Sequence, residues 1–249
     1  MEKEYYRRYY NIERNHWWFK VRSQILTQYI QTHITQQNLR ILNIGCATGG
    51  TTTLLESFGP VTSVEFDGDC CDFVRNSLNM EVYQGDIVDL QFKENSFDLV
   101  CAFDVLEHVK DDVKAAKEMF RVCKSGGHVF VTVPAYEFLW SEHDEINHHK
   151  RRYNSERVLK IFDDLQFQIL VKSHFNSFLF IPIALMRIIL SLFPKIYKSG
   201  QSDKQSDFDK VNISSLKKIF YSVFKLEVPI LKKFSFPFGV SIVLLLRKK

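Results

Sequence analysis

Cysteine is scarce in this 249-residue chain and poorly spaced for covalent work. Of the five, Cys70 and Cys71 are adjacent, Cys46, Cys101 and Cys123 are scattered, and no Cys-x-x-Cys occurs. That argues against a disulfide framework and against a structural zinc site, and it suits a reducing compartment. A leading apolar run is missing as well. The N-terminal MEKEYYRRYYNIERNHWWF is charged and aromatic, with no continuous apolar stretch after it, so a secretory signal is not expected and the cytoplasm is. No internal repeat is visible. What the chain does have is 45% hydrophobic and 25% charged residues, with 22 Phe, 10 Tyr and 3 Trp. This is ample apolar surface for one elaborated domain and far too much for a disordered one.

Charge is distributed unevenly. From Asn176 onward thirteen Lys and Arg face four Asp and Glu, a net of +9, whereas the preceding part carries −5. The same basic third holds the most apolar segment, Phe175 to Pro194, interrupted only by Pro182 and Arg187. A membrane span needs about 20 apolar residues, and a central Arg costs on the order of 2.5 to 3.5 kcal/mol. Peripheral contact through 176–194, lying in a membrane interface, is therefore favoured over crossing. Lys195, Lys198, Lys217, Lys218, Lys232 and Lys233 would suit an anionic surface or a lipid-linked acceptor. The alternative is a dimer interface or additional core, and the oligomeric state stays open.

The remainder reads as alternating strands and helices. Strands are expected at Leu39 to Gly45, Val61 to Asp67, Met80 to Asp86, Phe97 to Asp104 and His128 to Pro134. Helices are expected at Thr51 to Phe58, Asp69 to Leu78 and Asp111 to Cys123, with Gly126-Gly127 as a helix stop. Alternation of this kind predicts a parallel α/β sheet. Further on come a helix at Ser155 to Leu165, a strand at Phe167 to Phe175, a polar linker at Lys198 to Lys210, an amphipathic helix at Ile213 to Leu231 and a last strand at Pro237 to Leu246.

Chemistry concentrates after the first strand. Leu42-Asn43-Ile44-Gly45-Cys46-Ala47-Thr48-Gly49-Gly50 places small residues between a strand and a helix, where the backbone can approach a ligand. Glu65, at the tip of the second strand, is placed to accept hydrogen bonds from both hydroxyls of a ribose. A nucleotide-like ligand follows. Gly45, Ala47 and Gly50 also fit a degenerate dinucleotide pattern, so a nicotinamide-dependent oxidoreductase is an alternative, although no second βαβαβ half is evident.

LNIGCATGG, VTSVEFD and YQGDIVDLQFKENSFDLVCAFDVLEHV, followed by GGHVFVTVP, together resemble the ordered motifs of class I S-adenosylmethionine-dependent methyltransferases from Leu39 to Pro134. GVSIVLLLRKK is similar to their antiparallel final strand. The flanks, HWWFKVRSQIL and PAYEFLWSEHDEINHHKRRYN, resemble a bacterial subgroup of that family associated with glycan and lipid genes. The resemblance implies a Rossmann-like seven-stranded sheet with helices on both faces and S-adenosylmethionine as cofactor. Gly45, Cys46 and Ala47 would line its methionine and ribose, Glu65 would hold the ribose, and Phe66 would flank adenine. Asp86 would meet the adenine amino group with Ile87 beside it, and Phe103 would lie near the methionine. The family usually carries an acid where Asn43 stands and Gly where Ala47 stands, so weaker cofactor affinity is expected. Trp17, Trp18 and Phe19 could form an aromatic lid, or pack on the sheet, and Arg22 could pair with the methionine carboxylate.

Methyl transfer to a hydroxyl needs alignment and removal of a proton. Asp104, Glu107 and His108 stand at i, i+3 and i+4, which would put metal-ligating atoms on one helical face past the fourth strand. His143, Asp144, His148 and His149 follow the fifth strand at the same sheet edge. The set Asp104, Glu107, His108 and His149 resembles that of metal-assisted O-methyltransferases, including small-RNA 2′-O-methyltransferases and ubiquinone-pathway enzymes, and would take Mg, Mn or Zn. Without a metal, His149 or His143 is the expected general base. Lys150, Arg151 and Arg152 could bind an anionic group of the acceptor, or form a solvated turn. A nucleic-acid acceptor is disfavoured, because the basic run is short and no recognition module accompanies it.

The expectation is a helical lid over 1–38, a cofactor-binding core over 39–175 and 236–249, and an apolar, basic helical insertion over 176–235. The reaction expected is O-methylation of a glycan precursor, a lipid-linked sugar or a quinone-like lipid; a non-catalytic membrane-associated protein binding the same cofactor is the other reading.

Overall fold

The computed structural model describes residues 3–192 and 214–249. Seven strands form one sheet: β1 (Ile41–Ile44), β2 (Val61–Glu65), β3 (Tyr83–Gln84), β4 (Phe97–Phe103), β5 (Cys123–Pro134), β6 (Phe167–Phe175) and β7 (Ser241–Lys248). Their spatial order is β3-β2-β1-β4-β5-β7-β6. The first five are parallel, whereas β7 runs antiparallel to both β5 and β6. The order reverses at β1, so a crevice opens beyond the carboxyl ends of β1 and β4, where open α/β sheets bind ligands. Among the described residues the sheet has no second parallel half, which counts against the nicotinamide alternative.

Both faces are covered because side chains alternate along the central strands. Val100 and Ala102 of β4 turn to one face, where α5 (Asp112–Val122) and α7 (Ser155–Lys160) pack with Ala115, Met119, Val158 and the nearby Phe162. Leu99, Cys101 and Phe103 turn to the other, against Val21, Ile25 and Tyr29 of α2 (Trp17–His33). Phe224 of α9 (Ser214–Lys225) and Leu231 of α10 (Glu227–Leu231) complete that second layer. Most of α2, expected within a lid, thus covers the sheet, and part of the expected insertion joins the same layer.

A third cluster lies outside the sheet, between α1 (Lys3–Asn15) and α4 (Gly68–Leu78), and gathers Tyr6, Cys46, Cys70, Cys71 and Phe73. All five cysteines are buried thiols.

Several expected boundaries move. The third strand shrinks to Tyr83–Gln84 because it is an edge strand paired only with β2. Strand β5 begins at Cys123 and runs through Gly126-Gly127, so that pair interrupts no helix. The helix expected from Ile213 to Leu231 is two, α9 and α10, broken at Leu226. Pro229 lacks the amide proton that a continuous helix needs there and crowds the carbonyl four residues earlier. The helix at 155 stops at Lys160, though Ile161 and Phe162 remain buried. The linker expected at Lys198 to Lys210 lies outside the described residues. Among those described, no helix is long and apolar enough to cross a membrane; α8 (Phe180–Leu192) has 13 residues.

Candidate active site

The loop after β1 can turn because Gly45 sits at φ +69°, and an added Cβ there would fall 2.4 Å from Cγ2 of Val105. Ala47 also adopts positive φ, +44°. Its strain is offset by the Ala47 N–H donating to Oε2 of Glu65 at 2.9 Å, while Oε1 accepts from the N–H of Phe66 (2.8 Å) and of Asp67 (3.1 Å). The carboxylate of Glu65 is thereby locked between two strand tips. Asn43 is buried and donates to the hydroxyls of Thr51 and Thr52, tying β1 to α3 (Gly50–Leu55).

A cavity of about 1250 Å³ opens over this loop. It exceeds the roughly 300 to 1,000 Å³ typical of a single ligand pocket, so two ligands can share it. Gly45, Ala47, Glu65, Phe66, Asp86, Ile87 and Phe103 all line it, as do Arg22 and the aromatic group Trp17, Trp18 and Phe19. These aromatics also pack inward, because Trp17 meets Phe220 and Phe224 and Trp18 meets Phe175. Cys46 is the exception. Expected with Gly45 and Ala47 to line the cofactor, it is not among the residues that line the cavity; its side chain is turned into the cluster beneath α1, and burial pushes its thiol well up. Only its backbone remains near the loop.

The far end of the cavity holds Glu107, His108, His143 and His149. Here the expected helical face does not form: Asp104 lies at φ +57° and Leu106–His108 is a single 3-10 turn. Asp104 accepts from Arg22 at 2.6 Å and from the Thr132 hydroxyl at 3.1 Å, and so leaves the expected metal set. What remains is Glu107, His108 and His149, each offering one ligand atom, all within 4.8 Å of one another. Glu107 is fully buried and neither oxygen has a hydrogen-bond partner. Burial, aided by the charge of Asp104, pushes its carboxyl well above the ordinary range. His108 is pushed down to about 4 by burial and by neighbouring His149, so its imidazole is neutral near pH 7.

His149 is held from behind. Its Nδ1 lies 2.8 Å from Oδ1 of Asp144, a fully buried residue at the capping box of α6 (Glu142–Ile146). Arg152 donates to both oxygens of that carboxylate, at 2.8 and 2.9 Å, and Ser141 N–H adds a third bond at 2.8 Å. Burial opposes the charge of Asp144, but the bonds from His149 and Arg152 outweigh it and hold the carboxyl far below the usual range. Nδ1 of His149 therefore carries the proton and donates, which directs the Nε2 lone pair to the other side of the ring.

The basic run does not form a free anion site. Lys150 Nζ donates to the His108 carbonyl (2.6 Å), Arg151 to Asp112 (2.7 Å), and Arg152 to Asp144. These bonds, with Tyr153 Oη donating to Asp112 at 2.8 Å, fasten the segment after β5 onto the one after β4. Asp144 and Arg152 as supports of His149 were missed from sequence, although an acid five residues before a histidine was a signal. Glu13 and His16 also line the cavity, and nothing local in the sequence marked them.

Residues 42–131 match a family described as a methyltransferase domain. Demethylmenaquinone methyltransferase of Staphylococcus aureus is 33% identical over 102 residues, covering 38% of this chain and 42% of that protein. A Mycobacterium tuberculosis protein named as a probable S-adenosylmethionine-dependent methyltransferase is 26% identical over 161 residues, covering 63% and 58%. The chain thus spans about half the length of these curated relatives. A crystal structure of a SAM-dependent methyltransferase from Archaeoglobus fulgidus aligns with 92% of this chain and 94% of its own, with a TM-score of 0.56 at 15% identity, a likeness of fold.

Proposed function

We propose that this chain, which carries a class I S-adenosylmethionine-dependent methyltransferase domain, methylates an oxygen of a glycan precursor, a lipid-linked sugar or a quinone-like lipid at the inner membrane face. The observation that carries the reading is a single cavity lined both by groups suited to a nucleotide and by buried proton-handling groups: Glu65, Asp86 and the glycine loop on the one hand, Glu107, His108 and His149 on the other.

When bound, S-adenosylmethionine would supply a sulfonium methyl whose carbon an acceptor oxygen attacks in line, with the thioether sulfur of S-adenosylhomocysteine as the leaving group. Glu65 accepts the ribose hydroxyls, Asp86 faces the adenine edge beside Phe66 and Ile87, and Arg22 takes the methionine carboxylate beside Phe103. The Nε–H of Arg22 is buried without an acceptor, which suits that role. His149, held in one tautomer by Asp144, takes the proton of the acceptor hydroxyl at Nε2. His143, whose ring centroid is 5.9 Å from that of His149, stands next to it.

A divalent cation fits the far end as well. A buried carboxylate with two unpartnered oxygens is costly beside the neutral imidazole of His108 unless something positive compensates it. Glu107, His108 and His149 would hold Mg, Mn or Zn, which would lower the pKa of a bound hydroxyl; His149 would then serve as a ligand rather than a base.

The acceptor class is argued from the wall of the cavity. Ile183, Met186 and Arg187 of α8 line it, and the opposite side of that helix exposes Ile181 and Leu185, at 60% and 55%. An apolar chain could enter along α8 from a membrane surface. The S. aureus relative, whose name specifies a demethylmenaquinone, favours the quinone-like member of the class.

The test is mass spectrometry of lipid and glycan extract incubated with the protein and isotopically labelled methyl donor. A lipid or glycan that gains one labelled methyl is expected. Tight cofactor binding with no labelled acceptor would favour a non-catalytic binding protein, and preference for NAD over S-adenosylmethionine at equilibrium would overturn the cofactor. With the acceptor in hand, His149→Ala should lower turnover by about 10²- to 10⁴-fold while leaving cofactor affinity near normal.

A further inference from the structure

The glycine loop is closed from above by α1. Tyr6 donates to Asp67 at 2.9 Å, Arg14 donates to the Thr48 carbonyl at 3.1 Å, and Glu13 reaches to the start of α3. All the polar contacts of Glu13 fall on one oxygen. Oε2 accepts from the Thr48 hydroxyl (2.6 Å) and the Gly50 N–H (3.0 Å) and lies 3.6 Å from Arg14 Nη1. Oε1 accepts nothing, although the side chain is only 6% exposed and lines the cavity.

The other acids around the loop are already committed. Glu65 is bound by three backbone amides, Asp67 by Tyr6 and the Cys70 amide, and Asp104 by Arg22 and Thr132. Glu107 sits with the histidines at the far end. Beside the loop, then, one carboxylate oxygen is left unfilled, and two guanidinium nitrogens lack a hydrogen-bond partner: Arg14 Nη1, which lies 3.6 Å from Oε2 of Glu13 itself, and Nε of Arg22, which lines the cavity. A negative and a positive group left open on one wall match a zwitterionic amino-acid head, with ammonium at the acid and carboxylate at the guanidinium. Strand β1 offers no charge for that ammonium, because Asn43 is neutral and spends its amide on Thr51 and Thr52.

We propose that Glu13, carried on the N-terminal helix rather than on the sheet, binds the α-ammonium of the methionine end of the cofactor and so makes closure of α1 part of cofactor recognition. This rests on the methyltransferase reading above. Burial raises the carboxyl of Glu13, while Thr48, Gly50, Arg14 and Arg22 lower it; an ammonium at Oε1 would add to the second group.

The test is calorimetry on the full chain with three ligands: S-adenosylhomocysteine, its analogue lacking the α-amino group, and 5′-methylthioadenosine, which lacks the amino-acid end altogether. Glu13→Gln keeps an oxygen for Thr48 and Gly50 but removes the charge. Affinity of this variant for S-adenosylhomocysteine should fall about tenfold, with both amine-free ligands bound as by the parent chain. Unchanged affinity for S-adenosylhomocysteine overturns the assignment. An equal loss for all three ligands also overturns it, since Glu13 would then only shape the loop. If the parent chain binds none of the three, the methyltransferase reading itself fails, and this inference with it.

Discussion

Glu65 does two jobs with one carboxylate. It accepts three backbone amides that set the shape of the loops after β1 and β2, and in the proposed function it also accepts the ribose hydroxyls. Glu65→Ala should therefore weaken S-adenosylhomocysteine binding by about 10- to 100-fold, as loss of charge-assisted hydrogen bonds does. Calorimetry measures this directly, and an unaltered affinity would remove Glu65 from the pocket. Asp144 shows the complementary pattern. It touches no expected ligand, yet its bonds to His149, Arg152 and Ser141 decide which nitrogen of His149 carries the proton. A histidine presented this way is a better candidate base than His143, whose ring stands beside the Asn147 amide instead.

At the level of elements, α10 holds the start of the apolar segment. Glu227 is fully buried, and its carboxylate accepts from the N–H of Phe178 at 2.8 Å, with Ser177 and Asn176 amides nearby. Burial raises it to about 7, more than those amides lower it. In the unfolded chain the same group ionises near 4.5. The neutral acid thus contributes stability that is complete below about pH 4.5 and lost as the pH rises through about 7. Glu227→Gln, which keeps an acceptor but cannot ionise, should flatten this part of the profile. The fall in urea-unfolding free energy between pH 5 and pH 8 should be smaller in the variant by about 2 kcal/mol. An equal fall in both chains would mean that Glu227 is ionised throughout.

Over the whole molecule, exposed apolar surface gathers around α8. Ile181, Leu185 and Ile189 are exposed on that helix, Phe138 and Phe238 are exposed beside it, and Phe180 joins the last two by ring contacts of 6.2 and 5.5 Å. This is a patch of several aromatic and branched side chains, with Ile181 and Leu185 on the side of α8 opposite the cavity wall formed by Ile183 and Met186, larger than isolated surface hydrophobes require. Replacing Ile181 and Leu185 together with Glu should reduce association with vesicles rich in anionic lipid at least tenfold, as about 0.8 kcal/mol per lost methylene implies. Both side chains are more than half exposed, so cofactor affinity should not change. Undiminished vesicle binding would move the membrane contact away from α8.

The parallel sheet, its antiparallel last strand and the ligand-binding tips of β1, β2 and β3 were legible in order along the chain. The parallel strands, the turn at Gly45 and Glu65 at the end of β2 rest on local pattern, namely β-branched runs, glycine at a forced turn and an acid at a strand end, whereas the antiparallel last strand and Asp86 rest on the family resemblance. The sequence could not show that Asp104 would turn to Arg22 82 residues away, or that a 3-10 turn would replace the expected helix at Glu107. Nor could it show that Cys46 would face α1, or that Glu13 would reach a loop 35 residues later. Those choices depend on which charged groups meet when distant segments pack, and in a buried site a charge goes to the nearest partner that offsets its lost hydration. Local composition thus determined the framework and where a ligand could sit. Tertiary packing alone decided which acids and bases were already paired and which were left facing the cavity.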